Sequence, residues 1–319
     1  MHALNATDIR VLRAVFDGRD RLPAVAAAAG LSLPRASVVL SGLAAKGLLE
    51  KTRRGISWTV GFSDSRSAHL LRELFGRGFR AEEVLADSKL TMLSVLAGNG
   101  GSVGPRDLAD FTGLSGGSVR SFVRSGLRYG VLRRNDDGYS ISRSAVTLLS
   151  FLRSYEGDVA GRVAGAISKS AIVLRTFGFE VLFSMPGGES AGGASPTAVT
   201  AFGADGVETI GLRDYYHFTP AGRKLRREDY ILDHIMLDPG SVQHLTISLI
   251  YLKLHRKKID LRRLGLLSRV YGMPSLAGDM VRFVDDRALE IKGFPKRAEF
   301  DEKFWMYGGD HAWKAPASA

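Results

Sequence analysis

Residues 108–142, LADFTGLSGGSVRSFVRSGLRYGVLRRNDDGYSIS, decide how this chain is read. Their spacing predicts helix, three-residue turn, helix, strand, tight turn and strand. Leu108 and Phe111 give the first helix an apolar edge, and Gly113 ends it, because glycine tolerates the left-handed backbone of a helix exit. Ser115 is the N-cap candidate of the second helix, whose Val119, Phe122 and Val123 recur at i, i+3, i+4 and face inward. Gly130 stops that helix. Val131-Leu132 then opens a strand, and Asn135-Asp136-Asp137-Gly138 turns the chain into Tyr139-Ser140-Ile141.

The outward face of the second helix is cationic. Arg120, Arg124 and Arg128 lie four residues apart and form one stripe. Like charges at that spacing repel by a few tenths of a kcal/mol, whereas a polyanion lying along them makes the stripe favourable. The plainer alternative is a solvated face whose arginine stems cover apolar surface. The stretch resembles the winged helix-turn-helix of bacterial and archaeal transcriptional regulators. The resemblance implies that the second helix reads DNA and that the hairpin is a wing. The expected contacts are Ser118, Arg120, Ser121, Arg124 and Arg128, with Arg133 and Arg134 extending the positive surface towards the wing. Asp136 and Asp137 at the wing tip repel phosphate, so this wing is expected to stay out of a groove.

Upstream lies a second copy of the pattern. Thr7-Asp8 is expected to cap a helix bearing Ile9, Leu12, Val15 and Phe16. Leu22–Ala29 forms another helix, Gly30-Leu31-Ser32 a turn, and a third helix starts near Pro34 and ends at Gly47. Leu48-Leu49, a basic turn at Lys51-Thr52-Arg53-Arg54-Gly55, and Ile56 to Val60 complete a hairpin. Shifted by 83 residues without a gap, Gly30 lands on Gly113, Gly47 on Gly130 and Gly55 on Gly138. Two tandem winged helices follow from this repeat. The first reader helix offers Arg35, Ser37 and Ser41, and its wing offers Lys51, Arg53 and Arg54. Gly126 stands where the first copy has the core residue Leu43, and Leu127 is expected to turn inward to compensate.

Composition agrees with a nucleic-acid partner. The chain has 319 residues, 45% of them hydrophobic, and a formal charge of +11. Residues 1–150 contribute 21 Lys+Arg against 13 Asp+Glu, so most of the basic surplus lies with the repeat. Cysteine is absent, which excludes disulfides and thiolate metal sites. The N-terminus lacks the apolar core of a signal peptide, and Val242–Leu254 is too short to span a bilayer. A cytoplasmic location is expected, with no membrane association, metal or cofactor.

Residues 67–76 read as a linking helix between the copies, and a helix from Val146 runs to about Tyr155. The glycines of 156–165 suggest a domain boundary. Beyond it, 171–177 is expected to end a helix, 179–185 to be a strand and 186–195 (PGGESAGGAS) a flexible loop. Residues 197–202 and 207–211 are expected to pair as a hairpin. Four helices follow, at Arg227–Leu237, Val242–Leu254, 261–271 and 276–284. Because Val242–Leu254 is apolar nearly all round, it is either the hub of a small bundle or the face for a partner.

REDYILDHIML and YLKLHRKKIDLRRLGLLSRVYGM, within 218–284, resemble the C-terminal region of AbiEi-type antitoxins. Those are winged-helix repressors, and the resemblance implies a protein partner, a nucleotidyltransferase toxin.

Two catalytic patterns are weighed against this. Gly188-Glu189-Ser190-Ala191-Gly192 resembles the G-x-S-x-G elbow of carboxylesterases, with Asp205 and His217 following in triad order. But Ala194-Ser195-Pro196 opens no helix and no HGG segment precedes it. The same loop lacks the Lys-Ser/Thr of a phosphate-binding loop. Asp233-His234 is read as a surface carboxylate beside a partly buried imidazole, not as a metal-ligand pair.

The expected fold is mainly α with small β elements. It comprises a winged helix at 1–62, a linking helix at 63–88, a second winged helix at 89–156 and an α+β domain at 157–319. The expected function is a sequence-specific regulator binding double-stranded DNA, and the AbiEi resemblance implies the antitoxin of a toxin–antitoxin pair. The C-terminal part would serve self-association or a toxin-like protein. A winged-helix protein-interaction scaffold and a serine hydrolase on Ser190 are the alternatives.

Overall fold

The computed structural model describes residues 3–54, 57–207, 211–220, 222–286 and 289–308. It is mainly helical with small sheets and divides into two compact units. The first comprises Met1–Val163 with Thr176–Phe179; the second comprises Ala164–Arg175 with Glu180–Ala319.

In the first unit, α1 (Ala6–Phe16), α2 (Leu22–Ala29) and α3 (Leu33–Ala45) lead into an antiparallel hairpin of β1 (Leu49–Arg54) and β2 (Ser57–Phe62). The residues expected to cap α1 lie inside it. Asn5 is the cap: its side chain accepts from the Asp8 amide at 2.8 Å, and Asp8 accepts from the Asn5 amide at 3.2 Å. Two further helices, α4 (Arg66–Gly76) and the short α5 (Ala81–Leu85), lie between the copies.

The second copy is α6 (Ser88–Asn99), α7 (Pro105–Thr112), α8 (Gly116–Arg128), and the antiparallel pair β3 (Leu132–Asn135) and β4 (Gly138–Ile141). Under the 83-residue shift α2 falls residue for residue on α7, and α3 on α8. Gly30 and Gly113 have φ of 66° and 69°, and Gly47 and Gly130 have 71° and 68°. Each is a left-handed position where a side chain would be strained, which is why both copies keep glycine there. The loop tip at Gly55 and Ile56 lies outside the described residues.

Gly126 is accommodated differently from the sequence expectation. Leu127 stays 41% exposed. The space of a side chain at 126 is filled by Leu132 of β3, whose Cγ lies 2.5 Å from where a Cβ would stand.

The first unit ends after Val163, within the expected boundary at 156–165, but the chain there is continuous helix. α9 (Val146–Ile167) runs unbroken for 22 residues. Gly157, Gly161 and Gly165 lie on an exposed stripe, while Tyr155, Val159, Ala160, Val163 and Ala164 are buried. Burial of those five residues outweighs the roughly 1 kcal/mol that each glycine costs a helix.

A four-stranded sheet, in the second unit but for the last two residues of β5, has the order β5 (Ile172–Phe177), β6 (Glu180–Pro186), β8 (Arg213–Phe218), β7 (Ser195–Pro196). β8 runs antiparallel to both its neighbours, with Phe183 opposite Tyr216 and Ser195 opposite His217. Residues 171–177 are therefore strand, not helix end, as the β-branched and apolar run Ile172-Val173-Leu174 favours. The expected hairpin arm at 197–202 is a helix, α10 (Ala198–Ala204), with Phe202 stacked on Tyr251 at 4.0 Å between ring centroids. A short apolar run does not distinguish strand from helix, and this tertiary contact selects the helix. The other arm, 207–211, falls largely on 208–210, outside the described residues.

The remaining helices are α11 (Arg227–Leu237), α12 (Val242–Leu254), α13 (Leu261–Val270), α14 (Leu276–Asp285) and α15 (Arg297–Gly308). In α12 every residue from Leu245 to Leu252 is buried, with α11, α14 and α15 packed around it. It is the hub of this unit. Among the described residues no single helix is long and apolar enough to cross a membrane.

Candidate nucleic-acid face and a buried charge network

α8 starts at Ser115, whose hydroxyl accepts from the Ser118 amide at 3.2 Å. Val119 and Phe122 are buried and Val123 is half-buried, so the opposite side of the helix faces solvent. Arg120, Arg124 and Arg128 are exposed there and have no ion pair among the described residues. Ser118 is half-buried and Ser121 exposed on the same helix.

On the hairpin, Arg133 donates from Nε to Ser140 Oγ at 2.9 Å, and Asn135 Nδ2 bridges Ser140 and Ser102. Val103 and Tyr139 exchange two backbone hydrogen bonds of 3.0 Å, which fix the hairpin against the start of α7. Arg134, Asp136 and Asp137 are exposed.

The first copy is built differently. Arg35, Lys51 and Arg53 are exposed, but Lys51 folds onto α3, donating to Ser41 Oγ at 2.7 Å, and Ser41 in turn donates to the Ser37 carbonyl. Of the expected contacts here, Ser41 and Lys51 are thus already engaged with each other, Ser37 is half-buried, and the Arg54 side chain lies outside the described residues. In place of the arginine stripe this copy exposes Leu33 (49%), Val38 (65%) and Trp58 (58%). Trp58 pairs with Arg53 across the hairpin, and a tryptophan on that strand was the available signal for an exposed apolar patch.

The second unit holds a network that sequence reasoning missed. His217 on β8 lies between two carboxylates, with Nδ1 2.7 Å from Asp233 on α11 and Nε2 3.1 Å from Glu180 on β6. Thr197 donates to the same Asp233 oxygen at 2.6 Å. Arg223 makes a two-pronged contact with Glu180 at 2.8 and 2.9 Å and reaches Asp229 at 2.7 Å, while Arg263 reaches Asp229 from α13.

All four carboxylates, Glu180, Glu228, Asp229 and Asp233, are buried. The Asp233-His234 pair is therefore not a surface feature: Asp233 serves His217, and His234 packs against Ser248 and the His244 ring. Asp229 and Asp233, one turn apart on α11, were the only trace of this in the sequence.

Burial alone would disfavour the charged His217, but Asp233 and then Glu180 raise its pKa to about 10. Burial likewise pushes Glu180 upward, and the bonds from His217 and Arg223 hold it down at about 2. His234 has no such partner, and burial, with the neighbouring His244, lowers it to about 3. His217 is thus an imidazolium with both nitrogens engaged, and neither is available to take a proton from a nucleophile.

The residues of the triad pattern are not brought together. Ser190 is exposed in a loop, His217 is held by Asp233 and Glu180, and Asp205 accepts from Arg227 at 2.9 Å and from the Tyr251 hydroxyl. No helix opens directly after Ser190: Ser195 and Pro196 form β7, and α10 begins only at Ala198.

No protein-family model, no curated protein and no solved structure matches this chain.

Proposed function

We propose that the chain is a sequence-specific double-stranded DNA-binding regulator, built of two tandem winged helix-turn-helix modules and acting in the cytoplasm. One observation carries the reading: Arg120, Arg124 and Arg128 stand exposed along one side of α8, without ion pairs among the described residues. Three like charges one turn apart are unfavourable in isolation and become favourable along a phosphate backbone. Arg133 and Arg134 add to this surface from β3. In this reading α8 lies in the major groove with its arginines on phosphates and base edges. The protein is not an enzyme, and the ion network of the second unit is structural. On the resemblance of 218–284 to AbiEi-type antitoxins, the second unit binds a toxin-like protein chain.

The test is selection of duplexes from a random pool by the full chain, followed by titration at several salt concentrations. Affinity is expected to fall steeply with salt. Arg120→Ala with Arg124→Ala should flatten the logarithmic slope by about one unit for each lost phosphate contact. A double variant that binds as the parent does at every salt concentration would leave the stripe as a solvated face.

The exposed Leu33, Val38 and Trp58 favour a second reading, in which the first module docks to protein as a scaffold. Under it, Val38→Ser with Trp58→Ser abolishes association with a partner chain and leaves duplex binding unchanged.

A further inference from the structure

We infer that the outer face of the first module docks a short, acidic, amphipathic polypeptide segment. This rests on the second of the two readings above and does not depend on DNA binding by α8.

Under the 83-residue shift Leu33, Arg35 and Val38 of α3 fall on Gly116, Ser118 and Ser121 of α8, and Ser37 and Ser41 fall on Arg120 and Arg124. The face that carries the arginine stripe in the second copy thus carries apolar residues and serines in the first. The hairpin adds Trp58 to this face. The chain turns back after Ala45, and Lys51 of β1 reaches Ser41 of α3 at 2.7 Å, so β1 runs back along the helix. Val38 lies one turn before Ser41, and the next hairpin pair on the face of Lys51 is Arg53 with Trp58. The pair therefore continues from Lys51 towards Val38.

The size of the patch selects a segment over a second copy. Leu33, Val38 and Trp58 together leave on the order of a few hundred Å² of apolar surface, against roughly 800 Å² per partner in a stable dimer. The rim sets the charge of that segment. α3 contains no acidic residue, and Glu50 is the sole one in β1 and β2. As the strand neighbour of Lys51, Glu50 lies on the other face of the hairpin. Arg35 is exposed with no ion pair among the described residues, and Lys51 and Arg53 are exposed beside it on the hairpin. A phosphate backbone would satisfy these cations but leave the apolar groups facing a hydrated, charged surface. A segment with apolar residues against Val38 and Trp58, and carboxylates towards Arg35 and Arg53, satisfies both.

The test is selection of a random short-peptide library on the immobilised full chain, followed by anisotropy titration of the enriched peptides. Enriched sequences should combine large apolar residues with a net negative charge. Val38→Ser with Trp58→Ser should weaken them by about tenfold or more. Arg35→Glu, which keeps the apolar residues in place, should weaken them by about threefold or more. Duplex binding should be the same in the parent and in the Val38→Ser, Trp58→Ser chain. Peptides that need Val38 and Trp58 but carry no acidic residue would leave the scaffold reading standing and overturn this inference. No enrichment, or equal binding by the parent and the double variant, would overturn both. A duplex affinity that falls in the double variant would assign the face to DNA instead.

Discussion

A methyl group added at Gly126 would stand 2.5 Å from the Cγ of Leu132, at the branch of that side chain instead of its flexible end. Helix propensity favours alanine there by about 1 kcal/mol, and overpacking opposes it by roughly 1–3 kcal/mol. Gly126→Ala should therefore lower stability in urea denaturation; a gain would show that Leu132 moves aside at no cost. The two buried histidines give a second residue-scale expectation. His217 is raised from 6.5 to about 10, so its contribution is complete below pH 6.5 and is lost as the pH rises towards 10. His234 is lowered from 6.5 to about 3, so its contribution is complete above pH 6.5 and is lost as the pH falls towards 3. Glu180, held at about 2, adds to the loss below pH 4.5. Melting temperature should pass through a maximum near pH 6.5, and His217→Gln should flatten the alkaline limb and, because His217 also holds Glu180 down, shrink the part of the acid limb below pH 4.5.

At the scale of elements, α9 is where glycine content and helical periodicity disagree. Glycines at 157, 161 and 165 read as a linker because glycine weakens a helix wherever burial does not intervene. Their spacing of four puts them on one side, away from the buried Tyr155, Val159 and Val163, and nothing lies within 4 Å of a Cβ built at any of them. Gly161→Ala should accordingly raise stability by about 0.4–1 kcal/mol, opposite in sign to the same change at Gly126. Equal effects at the two sites in matched urea titrations would refute this account of both. α3 and α8 show the converse: equal length and register, different outward chemistry. The shift that aligns them sets Ser37 and Ser41 of α3 against Arg120 and Arg124 of α8. The core faces agree because both must pack, and the outer faces are free to diverge.

For the molecule as a whole, the first unit ends inside the glycine-bearing stretch 156–165, later than the expected division at 156/157. It takes in α9 as far as Val163, with Thr176–Phe179 belonging to it as well. Phe177 meets Phe111 edge-on at 5.6 Å, and the amide of Phe179 donates to the buried Glu156 at 3.0 Å. A chain cut after Glu156 loses these contacts and those of Val159 and Val163. It should melt less cooperatively and at lower temperature than the first unit does within the full chain, as read by circular dichroism. An unchanged transition would mean that the 176–179 segment is dispensable.

The sequence by itself determined the repeat, the ends of α2, α3, α8, α11 and α12 to within a residue or two, the C-terminal end of α7, and the arginine stripe. Each of these rests on local physics: a left-handed glycine, an apolar period of 3.6, or a side-chain cap acts within a few residues of chain. Tertiary structure alone decided that 171–177 is strand and 197–202 helix, because both runs are short and only their packing partners distinguish the two. It alone decided that Leu132 fills the space at Gly126, a contact across an element boundary. And it alone decided that Glu180, Asp229, Asp233 and His217 are interior. A buried charge and a surface charge are the same letter in a sequence, and only the arrival of Arg223 and Arg263 from elsewhere in the chain makes burial of those carboxylates tolerable.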